Sequence, residues 1–162
     1  MRPQRFQEFA VETLLKAPEI KNAEPWTEAD RPCGVHLTFN TGAQLWAAIT
    51  ATAAPGDDYD RPEVPVIDAP PAEVPLPELY EGGKVTPLKC EAYLAAVFAN
   101  SGNGEIARTY AYSEGATVTN PTANPGMGLV FHSGAKIQFL FQHTARAGQD
   151  KGGRPFDLQD AF

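Results

Sequence analysis

The chain has 162 residues, 43% hydrophobic and 10% aromatic, which fits one globular domain able to bury roughly two-thirds of its unfolded surface. Its net charge of −7 opposes the phosphate neutralisation on which nucleic-acid affinity rests. Charges at Arg2, Arg5, Glu8, Glu12 and Lys16 interrupt the N-terminal region and no later stretch is apolar enough to span a bilayer, so neither a signal peptide nor a membrane segment is expected.

In chain order, Phe6, Phe9, Ala10, Thr13, Leu14 and Ala17 recur at helical spacing and predict a helix from Pro3 to Ala17, opened by Pro3 and stopped by Pro18. Val35, Leu37 and Phe39 alternate with polar residues and lead through Asn40-Thr41-Gly42 into Ala43–Ala51, a predicted β-hairpin with glycine at the left-handed turn position. Residues 55–83 hold eight carboxylates (Asp57, Asp58, Asp60, Glu63, Asp68, Glu73, Glu78 and Glu81) against Arg61, so the whole excess of negative charge lies here. Prolines 55, 62, 65, 70, 71, 75 and 77 exclude helix and central strand, while Val64, Val66, Ile67, Val74, Leu76 and Leu79 predict an extended connector lying on the domain surface.

A second helix is predicted from Thr86 as N-cap and Pro87 at its first position to a stop at Gly102, with Cys90, Tyr93, Leu94, Val97 and Phe98 as its apolar stripe. Glu105–Tyr112 reads as a short helix or strand, and Ser113–Gly126 as irregular chain. A second hairpin follows, from Met127–Phe131 through His132-Ser133-Gly134 to Ala135–Thr144, and then a polar tail over 148–162 whose Phe156, Leu158 and Phe162 can dock back.

The hairpins align without a gap at an offset of 92 residues: Gly34, Phe39, Gly42-Ala43, Thr52-Ala53, Gly56 and Asp58 recur as Gly126, Phe131, Gly134-Ala135, Thr144-Ala145, Gly148 and Asp150. The expected fold is therefore a single α+β domain of two helix–hairpin repeats in the order αββαββ, spanning 3–54 and 86–147, with one antiparallel sheet and both helices on one face. On this parity Leu45, Ala47, Ile49, Ala51, Ile137, Phe139 and Phe141 face the helices. His36, Trp46, Val130, Lys136, Gln138, Leu140 and Gln142 face outward, while His36 and His143 fall on opposite faces.

Cys33 and Cys90 fit no zinc or redox spacing and read as buried thiols, which suits a cytoplasmic protein; neither a metal nor a cofactor is expected. No nucleophile elbow, phosphate loop or dinucleotide fingerprint occurs. Catalysis, if any, falls to His143, Arg146 and Asp150, a candidate small-molecule or hydrolytic site at the repeat junction. The leading expectation is a non-enzymatic interaction or assembly module that binds a protein partner or a second copy through Trp46, His36, Val130, Leu140 and Gln138.

Two stretches carry resemblances. Asn103–Glu114 followed by Thr117-Val118 is similar to the helix-turn-helix of LuxR-type regulators, which implies a nucleic-acid-binding alternative, although Pro121 and Pro125 leave no room for the recognition helix. Phe141–Asp157 resembles uncharacterised proteins of high-GC actinobacteria of the Streptomyces type, which implies a bacterial cytoplasmic or mobile-element protein and brings no functional residues.

Overall fold

A computed structural model describes residues 1–114 and 124–162. Ten elements follow one another: α1 (Pro3–Leu14), β1 (Ile20–Pro25), β2 (Gly34–Phe39), β3 (Gln44–Thr52), β4 (Tyr80–Glu81), β5 (Lys84–Val85), α2 (Pro87–Ala99), β6 (Ile106–Ala111), β7 (Gly126–Phe131) and β8 (Lys136–Ala145). The six long strands form one antiparallel sheet in the order β1-β2-β3-β8-β7-β6. The fold class is α+β, as expected, but each helix is followed by three strands of this sheet instead of two.

Of the additional strands, β1 is not read from the sequence and β6 is read only as a short helix or strand, for a common reason. Each is an edge strand with a register shift near its start, at Ile20/Asn22 and at Ile106/Arg108. A bulge breaks the period-two alternation by which a strand is recognised, so Ile20 and Ala23 are both buried three positions apart. Asn103–Glu114 accordingly contains β6 where a helix-turn-helix would need helix; Thr117, Val118 and Pro121 lie outside the described residues.

Both hairpin turns follow their chemistry, with Gly42 at φ 85° and Gly134 at φ 83°. The turn of β4–β5 is Gly82-Gly83, again with positive φ at both residues, so the connector ends in a short hairpin where extended chain was expected. Helix α1 stops at Leu14, a turn short of Ala17, whereas α2 begins as expected, with the Thr86 hydroxyl accepting from Lys89 N at 3.3 Å.

The core lies between the helices and one face of the sheet. Phe6 of α1 meets Phe98 of α2 at 5.6 Å between ring centroids and meets Phe131 and Phe139 edge-on at 6.4 Å. Ala51 is the exception among the expected core positions: it is exposed near the end of β3. Helix α2 is apolar nearly all round, and Ala95, Ala96 and Ala99 are buried as well as its sheet-facing stripe. Pro71, Val74 and Pro75 of the connector line a groove with these alanines, so the connector forms a third layer over the helix.

Specific bonds fasten the connector. Arg2 reaches Asp57 at 2.8 Å, and Arg5 joins Glu63 at 2.9 Å and Glu105 at 2.6 Å. The amide of Asn100 accepts from Val74 N and donates to Val74 O, as a neighbouring strand would. The excess acid of 55–83 is thus partly met by cations at the start of α1. The tail docks as well: Phe156 N donates to Gln142 O, and Phe162 exchanges both backbone hydrogen bonds with Val85.

Phe39→Ala and Phe131→Ala should each cost about 3–5 kcal/mol in urea denaturation, because both rings are fully enclosed. The connector should loosen in acid. Hydrogen bonding to Arg5 draws the Glu63 carboxyl down to about 2 from its usual 4.5. A lowered native pKa contributes stability that is present above the unfolded value and is lost as pH falls from about 4.5 towards 2. Amide hydrogen exchange at Asp68, whose N–H bonds Gly104 O, should accelerate across that window in the wild type, and Glu63→Gln should remove this dependence.

Candidate functional site

The central ladder pairs β3 with β8, from Gln44 opposite Ala145 to Thr52 opposite Lys136. A bulge interrupts it: Trp46 faces His143 while Ala47 faces Phe141, leaving Gln142 as the extra residue. The one-residue insertion shifts side-chain parity beyond Phe141, so His143 falls on the same face as Trp46 and His36. The expectation that His36 and His143 lie on opposite faces is therefore corrected. Simple alternation cannot reveal a bulge, since Phe141-Gln142-His143 has no glycine or proline to mark it.

The result is a row of rings across three strands on the face away from the helices. His36 stacks on Trp46 with 4.4 Å between centroids and 3° between planes. His143 meets Trp46 edge-on at 6.5 Å and Trp26 edge-on at 6.0 Å. His36 is fixed at both nitrogens, Nδ1 by Glu24 Oε1 at 2.8 Å and Nε2 by Gln44 Oε1 at 2.9 Å. Trp46 is consequently only 7% exposed, not displayed as the sequence suggests. His36 and His143, on its own face, supply part of its cover.

Behind these rings lies a polar interior. His143 is 3% and Gln142 1% exposed, and His143 Nε2 and both amide atoms of Gln142 are buried without a hydrogen-bond partner. Unmatched buried polar groups cost free energy, so their clustering at the bulge marks a functional candidate. Burial, then Lys151, lowers the pKa of His143, with Glu28 opposing and Arg31 adding to the shift. Imidazole is thus the favoured form near neutrality.

Trp26 is carried by the loop after β1. Its N–H donates to Gly34 O at 2.9 Å, and its ring lies so close that a Cβ on Gly34 would fall 2.7 Å from Trp26 Cε3. Glu28 and Arg31 close a tight backbone loop, with N–O distances of 3.0 and 2.9 Å. Lys151, from the tail, pairs with the Glu28 carboxylate, and its Nζ stands 5.2 Å from the centroid of the Trp26 ring. Neither Trp26 nor Glu28 was a sequence candidate, and Lys151 stood out only as a tail residue able to contact phosphate, because a loop and a tail more than a hundred residues apart supply them.

The remaining candidates lie elsewhere. Val130, Leu140 and Gln138 are half-buried on the outer face, with Gln138 Oε1 accepting from Thr50. Arg146 bonds Gln149 and Ala161, and Asp150 is exposed; no hydrogen bond or ion pair among the described residues joins either to His143. The polar groups acting on His143 are Lys151, Glu28 and Arg31. Cys33 and Cys90 are free, buried thiols, both pushed up in pKa by burial.

Glu91 is a buried carboxylate that sequence reasoning passed over, although its charge inside an apolar helix was the available signal. Its two oxygens accept from Ser113 N at 3.0 Å and Gly126 N at 2.6 Å, tying the end of β6 to the start of β7. Among the described residues no group of three or more His, Cys, Asp or Glu could hold a metal, and no helix is long and apolar enough to cross a membrane.

Trp46→Ala should destabilise the chain by about 3–5 kcal/mol, because it opens a cavity beneath His36 and against His143. Thermal and urea melts beside Phe39→Ala check this. A Trp46→Ala protein as stable as the wild type would show that the ring row adds nothing to the fold.

No family model matches the chain, and neither the curated proteins nor the solved structures give a match.

Proposed function

We propose that the chain is a protein-interaction module that captures an extended segment of a partner by adding it as a strand beside β6. The observation that carries this reading is the combination of a sheet edge at β6 that pairs with no further strand among the described residues and an apolar groove alongside it. Tyr112 N donates to Gly126 O at 3.0 Å, so by antiparallel alternation the N–H and C=O of Thr109 point away from β7, towards the edge. The groove, of about 680 Å3, is floored by Ala92, Ala95 and Ala96 and walled by Pro71 and Pro75. Backbone bonding at an edge supplies affinity, and a neighbouring groove selects side chains.

The two edges of the sheet differ in a way that favours β6. Strand β1 carries Lys21 and Pro25, devices that discourage pairing, and Pro25 has no N–H to offer. Strand β6 carries neither. Its exposed charge, Arg108, lies over the Tyr110 ring at 4.9 Å. The groove suits an extended chain with small or branched aliphatic residues, since alanine and proline surround it.

The same reading gives the architecture an origin. We infer that the two halves descend from one αβββ unit, supported by the strand order, symmetric about β3–β8, and by β2 and β7 spanning Gly34–Phe39 and Gly126–Phe131, 92 residues apart. Their edges then diverged, one protected by proline and lysine and the other left open.

Selection of peptides from a random displayed library tests the proposal. Binders should be extended and aliphatic, should perturb the amide resonances of residues 107–111, and should slow hydrogen exchange at Thr109. Thr109→Pro removes one outward N–H at an edge, where proline is tolerated, and should weaken peptide binding at least about tenfold while the fold persists. Ala92→Arg should do the same by filling the groove. Peptides that bind both variants as tightly as the wild type would overturn the reading.

A further inference from the structure

Trp26 and Glu28, on the loop after β1, make a second arrangement, over the outer face of the sheet and away from the β6 edge. Each is positioned by backbone close to it in sequence. The N–H of Trp26 is bonded to Gly34 and its ring lies against Gly34 and His143, while Glu28 is set by its reciprocal backbone bonds with Arg31. The backbone that carries the ring and the carboxylate is therefore set by bonds that do not involve the tail.

Lys151 reaches them from a different kind of segment. Residues 146–150 and 152–157 are exposed, and Gly152 and Gly153 have nothing within 4 Å of a would-be Cβ. The side chain is held by the Glu28 carboxylate and the Trp26 ring. An ammonium between a carboxylate and an indole gains both ion pairing and attraction to the ring quadrupole. The chain thus brings a cation from an exposed segment to a fixed pair of acceptors.

We infer that Trp26 and Glu28 form a binding site for a primary alkylammonium group, a lysine side chain or an amino terminus of a partner, which the chain's own Lys151 occupies as a displaceable stand-in. The chemistry of the occupant names the class: a primary ammonium can donate hydrogen bonds to Glu28, which a quaternary one cannot. His143 stands edge-on to Trp26 at 6.0 Å and fixes one side of the indole, a support that an incidental surface pair would lack. Because Lys151 competes for the site, its affinity for an outside ammonium is lowered by the fraction of molecules in which the tail is docked. The inference stands independently of the β6 edge.

The test uses the full chain and n-butylammonium, with tetramethylammonium as a second probe, followed by tryptophan fluorescence and the indole N–H resonance of Trp26. Lys151→Ala should bind n-butylammonium saturably and about tenfold more tightly than the wild type. Adding Trp26→Phe, which preserves an aromatic ring with a weaker quadrupole, or Glu28→Gln should reduce that binding several-fold, and thermal melts should confirm that each variant is folded. Tetramethylammonium should bind more weakly than n-butylammonium to Lys151→Ala. Equal affinity in wild type and Lys151→Ala, no saturable response in Lys151→Ala, a folded Glu28→Gln variant that binds undiminished, or tighter binding of the quaternary probe would each overturn the assignment.

Discussion

The antiparallel ladder between β3 and β8 joins the two halves of the sheet, and most other features of the molecule are arranged around it. It runs from Gln44–Ala145 to Thr52–Lys136 and places Ile49 opposite Phe139 and Ala47 opposite Phe141 in the core beneath the helices. Without this pairing each half would be a helix over three strands, with a long apolar strand at its edge, a state that exposes unpaired backbone and invites aggregation. The single irregularity in the ladder, the bulge at Gln142, brings His143 to the row occupied by His36 and Trp46 and leaves polar atoms buried without partners. Fold and candidate chemistry thus meet in one residue insertion.

The helix layer imposes a second demand. Because α2 is apolar around most of its circumference, the sheet can cover only part of it. The Pro-rich connector supplies the remaining cover and has the composition to do so, since prolines keep it extended while Asp57, Glu63 and the backbone of Val74 attach it to Arg2, Arg5 and Asn100. Its aliphatic residues contribute little to this attachment, because Val64, Val66, Ile67, Val74 and Leu76 are exposed and only Leu79 is buried. The acid of this surface-lying connector is therefore partly a structural adhesive.

The two proposed binding regions, one at the β6 edge and one on the outer face, use different physics. At β6, unpaired backbone and small side chains would accept a strand, and geometry matters more than charge. Beyond β1, a fixed indole and carboxylate would accept an ammonium, and charge matters more than shape. Glu91 bears on the first region by bonding Ser113 and Gly126, so the position of β6 depends on a carboxylate in the helix beneath it.

The helices, both glycine turns, the docking of connector and tail, and the burial of Phe39 and Phe131 were legible in the residues, because capping, turn conformation and apolar periodicity are local properties of a few neighbouring side chains. Strand β1 was not, and β6 was legible only as a helix or a strand, because bulges erased their alternation and their stability comes from β2 and β7. The ring row was half legible: Trp46 and His36 could be assigned to one face by parity, but His143 could join them only through a bulge, whose position depends on pairing with β3. The meeting of Trp26, Glu28 and Lys151 was beyond reach, since no local pattern relates a loop after the first strand to a tail 123 residues away. Local propensity sets what each segment becomes; only the closing of the sheet and the return of the tail decide which side chains meet.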